Sequence, residues 1–112
     1  MSQYLILIYS PESGSDLTPE EWQQAMVAHG RFAEQVVEMG AKILGGEALQ
    51  PSTTATSIRG DVVTDGPFVE SKEILGGYYV IEAADLDAAI SWAARCPGAA
   101  YGTMEVRPIW PM

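Results

Sequence analysis

The amino-acid sequence predicts an α+β fold, a ferredoxin-like split β-α-β arrangement with an antiparallel sheet and an inserted hairpin. Three observations support this prediction. The elements follow the order strand, helix, strand, hairpin, strand, helix, strand. Both helices begin at recognisable capping residues, and the last strand alternates apolar and polar residues. A length of 112 residues fits one domain, residues 1–112.

The first strand, residues 3–9, is apolar on both faces, which is typical of a central strand covered on both sides. Residues 10–16 are rich in serine and turn-forming residues and predict a loop. The first helix then starts with Thr18 as N-cap, Pro19 as its first residue and Glu21 completing a capping box.

This helix is expected to run to Met39, with a hydrophobic staple between Leu17 and Trp22 at its start. Apolar residues recur along it at spacings of three and four and predict one stripe that faces the sheet. The stripe comprises Trp22, Ala25, Met26, Phe32, Ala33, Val36 and Met39. His29 lies within it.

The second strand covers residues 41–49, and its Gly45-Gly46 pair indicates a bulge or the close approach of another backbone. Residues 55–59 and 62–64 flank Gly60-Asp61, which predicts a hairpin turn. A polar loop with a tight reversal at Asp-Gly-Pro follows, over residues 64–73.

A strand is predicted over residues 76–83, and Asp85 caps a second helix over residues 86–95. The inner face of this helix is predicted to consist of Leu86, Ala89, Ile90 and Ala93. Pro97-Gly98 ends it, and the last strand covers residues 101–109.

Two helices cover only one face of such a sheet, although the first strand is apolar on both. Leaving that second face in water costs about 1.5–3 kcal/mol per large side chain relative to burial. The simplest remedy is a second copy packed sheet to sheet, so the sequence predicts an isologous homodimer. The alternative is a monomer whose open face is shielded by the hairpin and the tails.

Composition limits the partners. Six basic against fifteen acidic residues give a formal net charge of −9, which disfavours binding to nucleic acid and to anionic membrane surfaces.

The apolar N-terminal run is too short to span a bilayer and has no signal-peptide pattern, so a cytoplasmic location is expected. A single cysteine, Cys96, excludes an internal disulfide and is expected to be buried as a small hydrophobe.

His29 is the only histidine, and two interpretations of it are open. In one, the imidazole is a general acid or base, and Asp65 orients the ring and favours its protonated form. In the other, His29 is a hydrogen-bonded core residue, and Asp65 only closes an Asx-turn.

Other candidate site residues are weaker, since loop solvation, core packing or the dimer interface is the leading explanation for most of them. Lys72 and Tyr79 are candidates for polarising a ligand oxygen, and Glu47 for a third carboxylate. The candidate substrate-binding set is Tyr9, Trp22, Glu47, Phe68, Lys72 and Tyr79. No metal-ligand spacing and no nucleotide fingerprint is present, so no metal or cofactor is expected.

At the motif TDGPFVESKE, residues 64–73, the chain resembles the YCII-related family, in the branch often called the DGPF-domain proteins. Further matching segments are Ala28-His29, GEAL at 46–49, LGGYY at 75–79, AARCP at 93–97 and EVRP at 105–108. The resemblance implies a ferredoxin-like fold that dimerises through its sheets as a dimeric α/β-barrel. It also implies His29 and Asp65 as the suspected active-site pair.

The broader superfamily includes small isomerases, cofactor-independent monooxygenases and haem-degrading proteins, and some relatives stand beside extracytoplasmic-function sigma factors. Two functions are therefore open. One is an acid/base enzyme of isomerase, lyase or hydrolase type that acts on a small organic molecule. The other is a non-catalytic dimer that senses a ligand or binds a regulatory partner. A preformed cavity reaching His29 and Asp65 would favour an enzyme or a sensor, and a filled core around them a scaffold.

Overall fold

A computed structural model describes residues 1–11, 18–38, 41–69, 71–100 and 102–111. The strands are β1 (Ser2–Pro11), β2 (Lys42–Ala48), β3 (Thr56–Arg59), β4 (Val62–Asp65), β5 (Glu73–Ala83) and β6 (Thr103–Pro108). The helices are α1 (Pro19–Glu38) and α2 (Leu86–Ala94), and short 3-10 turns cover Ser52–Thr54 and Pro97–Ala100.

Four strands form an antiparallel sheet in the order β2-β5-β1-β6. With β3 and β4 set aside as an inserted hairpin, this is the strand order of the ferredoxin-like fold, and the predicted fold class is confirmed. Side chains from both helices pack with alternate residues of β1 and β5 in one core, which places α1 and α2 on the same face of the sheet.

Helix α1 begins as predicted. The N–H of Glu21 donates to Oγ1 of Thr18 at 3.1 Å, and the N–H of Thr18 donates to the Glu21 carboxylate at 3.4 Å. These reciprocal bonds form a capping box, which satisfies two N–H groups that the first turn leaves free. Leu17 and Met39, and with them the predicted staple, lie outside the described residues.

The inward stripe of α1 differs from the prediction. Phe32 is buried, but Trp22 and Met26 are exposed. Among residues 19–35 and 38, the partly or fully buried positions are Ala25, Ala28, His29, Phe32 and Ala33, and residues 19–24 are exposed throughout. The predicted side chain of Val36 lies outside this description. The prediction for Met26 is wrong: Met26 lies at the edge of this stripe, about 20° beyond Ala33, and its side chain is exposed. The prediction for Trp22 is wrong because the first turns of α1 extend beyond the contact of the helix with the sheet.

The glycine pair in β2 acts as predicted. The register of β2 against β5 shifts between Ile43 and Gly45, which marks a bulge. The β3–β4 hairpin also forms, with Gly60 at φ 58° in the first turn position. A positive φ at that position is what a type II′ turn requires, and glycine adopts it without steric cost.

Helix α2 is capped by Asp85, whose Oδ1 accepts from the Ala88 N–H at 2.8 Å. Its predicted inner face is wrong at two positions, because Leu86 and Ile90 are exposed. The buried residues are Ala89, Trp92 and Ala93, at the spacing of one helix face. Small residues on this face leave room for Trp92, which is among the largest fully buried side chains. Cys96 is buried, as expected.

Strand β5 begins three residues before its predicted start. Ser10 pairs with Ile74 and Pro11 with Glu73, so pairing with β1 extends β5 into the polar loop and places Ser10 and Pro11 in a strand. Strand β6 is shorter than predicted, and Met104 and Val106 pack against the core as the alternation indicated.

The face of the sheet that the helices leave open carries Leu5 and Leu7 from β1 and Tyr78 and Val80 from β5. These side chains are partly exposed, and none belongs to the core cluster. We call these four residues the open face. Charged groups surround it, with Lys42, Glu47, Glu82, Glu105 and Arg107 at neighbouring register positions.

The β3–β4 hairpin forms a separate two-stranded sheet. Ile58, Val62 and Val63 on it are exposed, as are Phe68 and Val69 in the following loop. The Cα radius of gyration is 15.2 Å, whereas a compact chain of this length is expected to have about 13 Å. A hairpin that extends from the body accounts for such a difference. Among the described residues, no helix is both long enough and apolar enough to cross a membrane.

Candidate functional site

His29 faces the sheet from the middle of α1. The ring is partly buried, and its Nδ1 lies 2.7 Å from the hydroxyl oxygen of Tyr79, fifty positions further along the chain. Tyr79 reaches it because alternate residues of β5 point toward the helices, and Tyr79 lies on the same face as the buried Ile81. The fold therefore joins the only histidine to a tyrosine of a central strand.

Aromatic packing fixes the position of the Tyr79 ring. It makes edge-to-face contacts with Phe32 and Trp92, at centroid separations of 5.9 and 5.5 Å. Phe32 and Trp92 also contact each other at 4.2 Å. These contacts are of the kind that aromatic pairs prefer, so the hydroxyl is presented to His29 by a ring with little freedom to move.

Burial changes the acid–base properties of this pair. It lowers the pKa of His29 and raises the pKa of Tyr79 to about 12, and the negative charge that Cys96 carries once ionised adds to the second effect. Burial also raises the pKa of Cys96, which is therefore a neutral thiol rather than a nucleophile. Near neutral pH the imidazole and the phenol are both uncharged.

One buried donor in the same cluster has no partner. The indole Nε1 of Trp92 is enclosed and makes no hydrogen bond with a described residue. An unpaired buried N–H costs about 1–3 kcal/mol. The aromatic cluster of Phe32, Tyr79 and Trp92 thus holds a hydrogen-bond donor that a water or a ligand oxygen would satisfy.

His29 lines neither of two cavities that described residues form. The larger, of about 450 Å³, lies between the end of β1 and the base of the hairpin. Its wall is mostly apolar and includes Tyr9, Leu49, Pro51, Val69, Ile74 and Leu75. The cavity lies where the register of β1 against β5 shifts between Ile8 and Tyr9. A shallower groove of about 270 Å³ lies beside Val62 and Phe68.

Comparison with known proteins identifies the family. A protein-family model described as the YCII-related domain matches residues 2–112. The chain belongs to the YCII-related family. It is also 38% identical over 114 residues to "Uncharacterized protein R00369" of Rhizobium meliloti (strain 1021), a match that covers 95% of this chain and 90% of the relative. The printed name of that relative states no activity.

Of the predicted site residues of this YCII-related chain, Tyr79 alone is joined to His29 by a described contact. Asp65 is the last residue of β4 and is exposed, and its side chain makes no hydrogen bond or ion pair with a described residue. The pairing of His29 with Asp65 stays a prediction. Lys72 is exposed in the loop before β5.

The remaining candidates of the YCII-related chain are dispersed. Tyr9 lines the larger cavity and Phe68 the shallower groove. Glu47 is exposed on β2 opposite Tyr78, on the open side of the sheet, and Trp22 is exposed at the start of α1. Their assignment to a substrate site stays a prediction. No group of three metal-ligating side chains occurs within the described ranges.

Sequence reasoning missed two features of this site. It treated Tyr79 as a ligand contact and not as the partner of His29, and it did not single out Trp92. The signal for Trp92 was its spacing from Ala89, which places both on one face of a short helix. For Tyr79 the sequence held no such signal, because adjacent Tyr78 and Tyr79 point to opposite faces of a strand.

Proposed function

We propose that the His29–Tyr79 pair is the centre of an acid/base site that acts on a small organic molecule. The observation that carries this proposal is the 2.7 Å hydrogen bond between the only histidine and a tyrosine of raised pKa. Functional sites are where such perturbed pKa values concentrate. Proton transfer by such groups suits isomerase, lyase or hydrolase-type chemistry without a cofactor.

Each residue has a distinct role in this proposal. His29 meets the substrate through Nε2, the ring nitrogen that the tyrosine does not occupy, as a base if that nitrogen is unprotonated or as a hydrogen-bond donor if it carries the ring proton. Tyr79 holds the ring through Nδ1. Asp65 keeps its predicted role as an orienting carboxylate only if movement of the hairpin, or a second subunit, brings it to His29.

The test is a screen of metabolites by thermal shift. A ligand that binds only the native state raises the unfolding midpoint, by about 2.7 kcal/mol in free energy at a concentration of 100 Kd. The expected result is a ligand that stabilises the native chain and has a weaker effect on His29→Gln, followed by turnover that the variant lacks. Asp65→Asn is screened in parallel. A ligand that stabilises all three proteins equally would place the site elsewhere and contradict the proposal.

We also propose that the functional unit is a homodimer packed through the open face. Support comes from the position of Leu5, Leu7, Tyr78 and Val80, which lie in adjacent strands outside the core. Burying each such side chain contributes about 1.5–3 kcal/mol. Light scattering at micromolar concentration is expected to give about twice the chain mass of 12.1 kDa. Monomers alone would contradict this arrangement.

A second function, a ligand-sensing or regulatory module, is favoured by one observation. The larger cavity is mostly apolar and is not lined by His29 or Tyr79, so a ligand bound there meets no acid/base pair. The extracytoplasmic-function sigma factor context of some relatives belongs to this alternative. Binding that survives His29→Gln, weakens on Leu75→Arg and is accompanied by no turnover would select it.

A further inference from the structure

The His29–Tyr79 hydrogen bond has a direction, and the direction decides what His29 offers to a ligand. We infer that Tyr79 donates to Nδ1 and thereby holds His29 as the Nε2–H tautomer, so the nitrogen open to a ligand is a hydrogen-bond donor. The site then selects an uncharged organic compound that presents a carbonyl oxygen. This inference rests on the proposed function and specifies its substrate class.

The direction follows from the partners that each atom has. Among the described residues, Nδ1 of His29 is the only hydrogen-bond partner of the Tyr79 hydroxyl. If Nδ1 carried the proton instead, it would donate to the phenol oxygen and leave the phenol O–H without an acceptor among the described residues. A neutral imidazole has one donor and one acceptor nitrogen. Tyr79 as donor to Nδ1 satisfies the phenol O–H and places the ring proton on Nε2.

The charge state of the pair agrees with this direction. The pKa of Tyr79 is raised to about 12 and that of His29 is lowered, in both cases because burial disfavours the charged form. The proton therefore stays on the phenol near neutral pH, and the imidazole is not doubly protonated. The bond is a neutral O–H···N contact.

The second ring nitrogen, Nε2, is available. It makes no hydrogen bond with a described residue, and it is not among the enclosed atoms, since Trp92 Nε1 is the only described buried side-chain nitrogen or oxygen without a partner. An N–H that is held in place from the far side of its ring and is not fully enclosed suits polarisation of a carbonyl oxygen.

The surroundings favour an uncharged acceptor over an anion. One turn on either side of His29 the helix carries Ala25, Met26, Phe32 and Ala33, none of which ionises. Across the sheet, Tyr79 lies opposite Gly46 and Ile6. Cys96 is a neutral buried thiol. With no cation at these positions and a formal net charge of −9, a carboxylate finds no opposite charge here to offset its desolvation.

The first test is a two-bond nitrogen–proton NMR spectrum of the ligand-free protein, in which the single histidine gives an unambiguous signal. Near neutral pH, Nε2 is expected to be protonated and Nδ1 to be unprotonated. Tyr79→Phe is expected to give a mixture of tautomers. The matched control Tyr78→Phe, on the opposite face of β5, is expected to leave the ring nitrogens unshifted. A proton on Nδ1 in the native chain would overturn the inference.

The second test adds three probes with one ring skeleton: cyclohexanone, cyclohexanecarboxylate and cyclohexylamine. Cyclohexanone is expected to shift the Nε2 signal, and the other two are expected to shift it less. A larger shift with the carboxylate or the amine would overturn the carbonyl class. No shift with any probe would overturn the ligand-donor role.

Failure of this inference and failure of the proposed function are separable. The tautomer is measured on the free protein, so a metabolite screen without any ligand would contradict the acid/base function and leave the tautomer result standing. Conversely, a proton on Nδ1 would make Nε2 a base, which overturns the donor role and keeps an acid/base site.

Discussion

Gly46 and Tyr79 face each other across β2 and β5 so closely that only glycine fits. A Cβ added to Gly46 would lie 2.7 Å from Cδ1 of the Tyr79 ring and 2.7 Å from the backbone oxygen of Tyr78. The Tyr79 ring thus occupies the space that a side chain at position 46 would need. The glycine that marked a weak strand in the sequence helps to position the hydroxyl that holds His29.

Gly46→Ala is therefore expected to disturb the site from a distance. The added methyl group meets backbone as well as ring, and such overpacking costs about 1–3 kcal/mol. We expect a lower denaturation midpoint and altered ring signals of His29. Gly45→Ala is the matched control, since a Cβ there has no neighbour within 4 Å. Equal effects of the two substitutions would contradict the proposed support of Tyr79 by Gly46.

Gly30→Ala is expected to stabilise the protein. Gly30 lies in the middle of α1, is exposed, and has open space where a Cβ would be built. Replacing a helix glycine by alanine contributes about 0.5–1 kcal/mol. Denaturant unfolding should show this gain, with the His29 ring signals unchanged. A loss of stability would mean that a hidden contact, such as a second subunit, requires the glycine.

His29→Ala is expected to leave a folded protein without activity. The histidine is partly buried, and its described hydrogen bond contributes about 0.5–1.5 kcal/mol, which is small against a typical total of about 5–15 kcal/mol. Circular dichroism and size-exclusion chromatography, compared before and after the substitution, check the fold. Global unfolding would support the structural interpretation of His29 instead.

Leu7→Lys is expected to weaken the proposed dimer. Leu7 pairs with Tyr78 and with Glu105 in the middle of the open face, so a charge there would be buried between two sheets. Light scattering should show a shift from dimer to monomer. Gln24→Lys, which adds the same charge at an exposed position of α1, is the control. If both variants remain dimers, the interface lies on another surface.

Stability is expected to fall on acidification partly because of His29. Its pKa is lowered in the folded chain by burial, so the unfolded chain takes up a proton first as the pH falls. The contribution is fully present above the ordinary pKa of about 6.5. It is lost as the pH drops through the folded value. Denaturation midpoints should therefore decrease more steeply below about pH 6.5 in the native chain than in His29→Gln. Parallel curves would contradict the lowered pKa.

Local signals predicted much of this fold. Thr18 and Glu21 mark the start of α1, Asp85 marks the start of α2, and Gly60 marks the hairpin turn. Each of these acts within three or four residues, which a sequence shows directly. The order of such elements then leaves few topologies to consider.

Features that depend on distant pairing were not predictable in the same way. Which residues of α1 near Met26 face inward depends on where the helix touches the sheet. The start of β5 depends on its pairing with Ser10 and Pro11. The partner of His29 depends on which of two adjacent tyrosines faces α1, and that register is fixed by three strands together. The family resemblance predicts a pairing of His29 with Asp65, whereas the contact that the structure describes joins His29 to Tyr79.

The β3–β4 hairpin forms a sheet of its own, and this determines where a protease is expected to cut the chain first. Its two strands hydrogen-bond to each other and not to the four-stranded sheet, so they can open while the layer around Trp92 stays closed. Trypsin should cut after Arg59, at the exposed tip, before sites in the helices and the four-stranded sheet. The two fragments would remain associated through β1, β2 and β5, which makes the nicked protein a direct means of asking whether an intact tip is needed for ligand capture.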